Sequence, residues 1–126
     1  MNIIISNTSD KPIYQQIFDQ VSAQIIRGDL EPGSMLPPIR TAAKELHISV
    51  ITVKKAWEEL ERLGFIDTMV GRGCFVANLS ANEIEDKLGG LLDEKMKTDI
   101  AYFKTLGLSE EKVIELIRKH YDNRDF

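Results

Sequence analysis

Apolar residues recur every three or four positions in five segments of this chain, which is the spacing of helices with one buried face. The segments lie between residues 12 and 28, 38 and 46, 49 and 64, 80 and 107, and 109 and 121. Two short β-prone runs, 65–69 and 74–76, follow the third segment and flank a Val-Gly-Arg-Gly turn. The run Ile3–Ile5 predicts a further small strand. The pattern therefore predicts a mainly α fold with a small β-hairpin.

Residues that cap and end helices support these boundaries. Gly28 and Gly64 follow the first and third helices, where glycine is a common C-terminal stop. Ser49 is a favourable N-cap for the third helix, and Ser80 with Glu83 forms a capping box that begins the fourth. The Gly-Gly pair at 89–90 interrupts the fourth helix, and each glycine costs about 1 kcal/mol of helix stability. We expect a bend there, or a neighbouring helix that packs closely.

The order of the elements predicts a winged helix-turn-helix domain over residues 1–78 and a two-helix dimerisation module over 79–126. A short helix, a tight turn, a longer helix and a hairpin are the parts of a fold that places one helix in a DNA groove. The last two helices cannot bury their own apolar stripe, so a second copy is the simplest cover. The predicted dimerisation residues are Ile84, Leu88, Leu91, Leu92, Met96, Ile100, Phe103 and Ile117.

Charge and cysteine content narrow the class of protein. The net charge of −4 argues against a generic nucleic-acid coat protein but leaves room for a local basic patch. The single cysteine, Cys74, cannot form an internal disulfide and fits a reducing cytoplasm. No apolar run approaches the length of a membrane span, and the N-terminus lacks the pattern of a signal peptide. We expect a cytoplasmic protein that does not associate with membranes.

Catalytic and metal-binding patterns are missing from the sequence. His47 and His120 are the only histidines, and neither has the spacing of a metal-ligand motif. No cysteine pair is available for zinc, and no glycine-rich phosphate loop occurs. We expect no enzymatic activity, no cofactor and no metal.

The start of the third helix and the hairpin tip carry the candidate DNA-binding residues. A recognition helix projects its N-terminal side chains at base edges while polar groups hold phosphates. Hydroxyl and ammonium groups can bind either, outward apolar residues can contact a thymine methyl, and an arginine between glycines suits a narrow minor groove. The candidate set is Arg40, Ser49, Val50, Ile51, Thr52, Lys54, Lys55, Gly71 and Arg72.

Several spaced motifs in residues 12–76, about half of the chain, agree in order with one family. They are Pro12-Ile13-Tyr14, Gly28-Asp29-Leu30-Glu31-Pro32-Gly33, Leu36-Pro37-Pro38-Ile39-Arg40, Ser49-Val50-Ile51-Thr52-Val53, Leu60-Glu61-Arg62-Leu63-Gly64-Phe65-Ile66 and Gly71-Arg72-Gly73-Cys74-Phe75-Val76. This segment closely resembles the DNA-binding domain of the GntR family of bacterial transcription regulators.

The resemblance implies DNA contacts at the candidate residues other than Lys55. Many family members have arginine where this chain has Val50, which shifts the expected base reading to Thr52, Lys54 and apolar contacts. Residues 79–126 are too few for the effector-binding or aminotransferase-like domains of larger members. They look like the C-terminal helices of the small YtrA-type subfamily, whose members are similar in being dimeric repressors, often of adjacent transporter operons.

The predicted function is a homodimeric transcription regulator, and more narrowly a repressor that binds a palindromic double-stranded operator. The alternative is a winged-helix module for protein–protein contact without operator binding, which the acidic net charge would suit. Binding of a small-molecule effector is a further alternative. Apolar stripes such as that of residues 84–121 more often form a dimer core than a ligand pocket. The operator sequence and the regulated genes do not follow from the residues.

Overall fold

The computed structural model describes residues 1–122. It contains α1 (Ile13–Arg27), α2 (Ile39–Leu46), α3 (Val50–Arg62), β1 (Ile66–Met69), β2 (Gly73–Val76), α4 (Ala81–Thr105) and α5 (Glu110–Asp122). Five helices with one antiparallel hairpin confirm the predicted fold class. Contacts divide the chain into one compact unit over Met1–Ile84 and a second from Glu85 onward.

The core of the first unit lies where α1 and α2 pack on α3, with the hairpin closing one side. One face of each helix is buried, as the apolar spacing predicts. The rings of Phe18 and Phe65 meet edge to face with centroids 6.0 Å apart, which joins α1 to the segment that enters β1. The largest fully buried side chains are those of Phe65, Ile17, Leu60, Ile66, Val21 and Val53.

The turn between α2 and α3 is tight because His47 adopts a left-handed conformation, with φ 57°. The backbone N–H groups of His47 and Ile48 donate to carbonyls in the last turn of α2. This arrangement provides hydrogen-bond donors for the last carbonyl groups of α2, and α3 begins at Val50. Ala42 and Ala43 are buried on α2, where their small side chains let the two helices approach closely.

The hairpin is extended into a small sheet by the loop that precedes α2. In the hairpin itself, Ile66 lies opposite Val76 and Met69 lies opposite Gly73. On the other edge of β2, the loop over residues 33–36 forms further backbone hydrogen bonds, and Gly33 N–H donates to the Val76 carbonyl at 2.8 Å. Both edges of β2 are therefore paired, which fixes the direction in which the hairpin projects.

Residues 2–6 form no strand, contrary to the sequence prediction, and run along α1 instead. The side-chain amide of Gln20 binds both the N–H and the carbonyl of Ile4, at 2.8 and 2.7 Å. Gln16 does the same to Ser6, at 2.8 and 3.0 Å. Four helical residues advance about 6.0 Å and two extended residues about 6.6 Å, so the two spacings match. The apolar run pairs with glutamines because they lie at helical spacing beside it.

In the second unit α4 is continuous, and the glycines at 89 and 90 do not bend it into two helices. A methyl group added to either glycine would meet no atom within 4 Å. The predicted capping box is present, since Ser80 N–H donates to the Glu83 carboxylate at 3.1 Å and Glu83 N–H donates to Ser80 Oγ at 3.2 Å. The favourable length and cap of α4 outweigh the helix cost of the two glycines.

Candidate nucleic-acid interface

The hydroxyls of Ser49 and Thr52 are bound to each other at the start of α3. Ser49 Oγ accepts from Thr52 N–H at 3.2 Å, which makes Ser49 the N-cap of the helix. The two hydroxyl oxygens are 2.7 Å apart and share a further hydrogen bond. One hydroxyl proton of the pair is left to bind a phosphate or a base. The structure thus gives Ser49 a capping role in addition to the predicted DNA contact.

Two apolar side chains project from the first turn of α3. The side chain of Ile51 is 77% exposed and that of Val50 is 37% exposed. Val53 and Ala56 on the same helix are fully buried, so one face of α3 packs on the core. Ile51 lies on the opposite, exposed face. The structure leaves an apolar patch where a recognition helix presents its base-reading residues.

The two lysines of α3 already have partners. Lys54 Nζ lies 3.9 Å from the Glu58 carboxylate one turn along the helix. Lys55 Nζ lies over the ring of Tyr14, 4.0 Å from its centroid, which is a cation–π contact between α3 and α1. Exposed pairs of the first kind contribute little to stability and exchange readily for phosphate. Lys54 is therefore the more available of the two ammonium groups.

Arg40 and Arg72 project from two different elements, the first turn of α2 and the hairpin tip. Both are exposed, and within residues 1–122 neither guanidinium has a hydrogen bond or an ion pair. At the tip, Arg72 N–H donates to the Met69 carbonyl at 2.9 Å, and Gly71 has φ 79° as the third position of a type II turn requires. Free guanidinium groups of this kind can bind phosphate or base edges without first breaking a pair.

Sequence reasoning missed two features of the hairpin. Val70, the second residue of the turn, is 99% exposed and places a branched apolar side chain beside Arg72. Thr68 Oγ1 donates to the Glu61 carboxylate of α3 and lies 3.4 Å from Cys74 Sγ, which ties both strands of the hairpin to the helix. A polar pair separated by seven residues in different elements has no periodic signal in a sequence.

The Glu59 carboxylate pairs with Arg62 near the end of α3. The hydrogen bond from this guanidinium lowers the pKa of Glu59 below its usual value, although burial acts in the opposite direction. The pair lies in the last turns of the helix, away from the apolar first turn. The Glu59–Arg62 pair therefore neutralises its own charge near the end of α3, whereas Arg40 and Arg72 are exposed and have no partner within residues 1–122.

The predicted dimerisation residues lie on α4 and α5 and are half-buried or exposed. Among the described residues, neither helix has a buried side chain, and Leu92, Met96 and Ile117 are about half exposed, at 52%, 50% and 44%. Tyr121, near the end of α5, is 85% exposed. The second unit therefore presents an apolar stripe that the described chain leaves uncovered.

Residues 1–122 contain no group of three or more His, Cys, Asp or Glu side chains arranged to hold a metal ion. No helix among these residues has the length and apolar character that crossing a membrane requires.

The family model "Bacterial regulatory proteins, gntR family" matches residues 13–76. The uncharacterized HTH-type transcriptional regulator YhcF of Bacillus subtilis is 36% identical over 112 residues, which cover 87% of this chain and 90% of that protein. The HTH-type transcriptional repressor YtrA of the same organism is 35% identical over 118 residues, covering 93% and 90%.

Solved structures of regulators of this family have a similar fold. A GntR family transcriptional regulator from Listeria monocytogenes superposes with a TM-score of 0.73 and 28% identity, covering 91% of this chain and 98% of that one. The DNA-binding domain of AraR in complex with operator ORE1 superposes with a TM-score of 0.51 and 25% identity, covering 61% and 94%. With this fold, these motifs and these relatives, the chain belongs to the GntR family of bacterial transcription regulators, which are not enzymes.

Proposed function

We propose that the protein is a homodimeric repressor in which two copies of α3 enter successive major grooves of a palindromic operator, with the hairpins in the flanking minor grooves. The observation that carries the proposal is that Arg40 and Arg72 are exposed and without a partner within residues 1–122, while the capped start of α3 is also exposed. The operator complex of AraR and the repressor function of YtrA support it by similarity. Residues 79–126 serve as the dimerisation module.

The dimer is supported by the uncovered stripe on α4. Leu88, Leu92, Met96 and Ile100 recur at helical spacing and are 37%, 52%, 50% and 38% exposed. Burying apolar surface contributes about 25 cal/mol per Å², so leaving four large side chains partly in water is unfavourable. A twofold axis lets the same stripe cover its own copy, which doubles the buried area without a second kind of surface.

The dimer is tested by Leu92→Glu, with Ala101→Glu as the matched control. Ala101 is exposed on the opposite side of α4, because nine residues at about 100° per residue amount to two and a half turns. Sedimentation equilibrium should give a dimer for the wild type and for Ala101→Glu, and a monomer for Leu92→Glu. A wild-type monomer at tens of micromolar, or a dimeric Leu92→Glu variant, would contradict this assignment.

Operator binding is tested by selection of bound fragments from random-sequence DNA. The proposal predicts an inverted repeat whose half-sites are centred about 10 base pairs, or a multiple of that, apart. Repression predicts that a reporter placed behind this site is silenced by the wild type and derepressed by Leu92→Glu. Enrichment of a single unrepeated site would contradict the dimeric arrangement, and higher reporter output with the wild type would contradict repression.

A further inference from the structure

The exposed surface of the first turn of α3 includes two apolar side chains. Ile51 has the most exposed apolar side chain on this helix, at 77%, and Val50 beside it is 37% exposed. Neither residue contributes to the described core, since Val53, Ala56, Trp57 and Leu60 form the buried face. A branched apolar side chain left in water at the start of a helix adds little to folding, so it is free to contact a partner.

The polar neighbours of Ile51 are already engaged. Ser49 and Thr52 share the capping hydrogen bonds described above, and one hydroxyl proton between them is left over. Lys55 is held over Tyr14, and Lys54 points along the helix toward Glu58. The guanidinium groups of this unit that have no partner belong to α2 and the hairpin, where they suit phosphates and the minor groove. The apolar pair is thus the free surface of the recognition turn.

Only one apolar group lies in the major groove of DNA, the C5-methyl of thymine, because the other base edges show donors and acceptors. We propose that Ile51, with Val50 beside it, reads thymine methyl groups, so that each half-site of the operator requires A·T pairs under the first turn of α3. This inference rests on the proposed entry of α3 into the major groove. It assigns base discrimination to Ile51 and leaves affinity mainly to Arg40, Arg72 and Lys54.

The test is a thymine-to-uracil scan of the selected operator, since this exchange removes one methyl group and leaves all hydrogen-bonding groups unchanged. Burying a methyl-sized group is worth about 0.8 kcal/mol, which corresponds to a loss of about fourfold in affinity per position. Fluorescence anisotropy should show this loss at one or two thymines in each half-site and none elsewhere. Conversion of such a T·A pair to C·G should weaken binding, and 5-methylcytosine in place of cytosine should restore about fourfold.

The assignment to one side chain uses Ile51→Ala, with Ile4→Ala as the matched control. Ile4 is an equally exposed isoleucine, at 81%, on the N-terminal segment. The uracil penalty should disappear with Ile51→Ala and persist with Ile4→Ala. If the wild type binds its selected operator but no uracil substitution weakens it, or if the penalty survives in Ile51→Ala, the inference is wrong. If no operator is selected at all, the proposed function fails instead.

Discussion

Ser49 caps α3 and also lies at its DNA-facing start, so two substitutions can separate these roles. Ser49→Ala removes the acceptor for Thr52 N–H, which is 3.2 Å away, and the hydrogen-bond partner of the Thr52 hydroxyl, 2.7 Å away. Loss of an N-cap costs about 1 kcal/mol. For a unit of this size, Met1–Ile84, that corresponds to a fall of about 4–8 °C in Tm.

Ser49→Asp keeps the cap and changes the charge. A carboxylate accepts from both the N–H and the hydroxyl of Thr52, and aspartate is as good an N-cap as serine, so the Tm should stay close to that of the wild type. The same carboxylate would face DNA phosphates. Two unit charges about 4 Å apart in water repel by about 1 kcal/mol, which is about fivefold in affinity for each half-site.

Differential scanning calorimetry and fluorescence anisotropy on the selected operator measure the two effects separately. We expect Ser49→Ala to lose stability with a modest loss of binding, and Ser49→Asp to keep stability with binding weakened about 25-fold for the dimer, as the product of two half-sites. The reasoning would be refuted if Ser49→Asp melts as early as Ser49→Ala. It would also be refuted if the aspartate variant binds the operator as tightly as the wild type.

Three further predictions concern the rest of the chain. Gly90→Ala, on the polar face of α4, should raise helix stability by about 1 kcal/mol without changing dimer affinity. Gly89→Ala, on the apolar face, should weaken the dimer if two helices approach each other there. Denaturation at several protein concentrations distinguishes a change in helix stability from a change in dimer affinity. Gln20→Ala should abolish the protection of the Ile4 amide in hydrogen exchange, leave that of the Ser6 amide to Gln16, and lower global stability little. The lowered pKa of Glu59 gives stability that is present above its ordinary pKa and is lost as pH falls below it, so Arg62→Ala should flatten the acid limb of a stability–pH curve.

The elements that follow from periodicity and caps could be predicted, because local sequence determines them. The capping box at Ser80 and Glu83 and the stop after α3 depend only on neighbouring residues, and the structure shows both. The prediction of a strand at Ile3–Ile5 was wrong. Whether this segment pairs with another backbone or with glutamine side chains depends on α1, which is distant in sequence. The sequence predicts one helix over 80–107 with a bend or a close neighbour at Gly89 and Gly90, and the structure has a single helix there because its length and cap outweigh the cost of two glycines.

The sequence predicts a set of candidate DNA-binding residues, but it does not show which of their polar groups are free to bind. The sequence pattern marks Lys54 and Lys55 as equal cations, and only the fold shows that Lys55 is held over Tyr14. In the same way, a serine at a helix start reads as a cap or a DNA ligand, and only the structure shows its hydroxyl already shared with Thr52. Contacts between elements decide which of several similar side chains is free.

The central claim, that this face binds operator DNA through its free arginines, is tested most directly by the salt dependence of binding by Arg40→Ala/Arg72→Ala. Arg27→Ala/Arg62→Ala is the matched control, because it removes the same charge from arginines that are already paired with Asp29 and Glu59. Affinity falls with salt, and each lost phosphate contact makes the slope of log affinity against log salt less steep by about 0.9. We expect a shallower salt dependence and a large loss of affinity for Arg40→Ala/Arg72→Ala only. Equal slopes for both double variants would contradict the account.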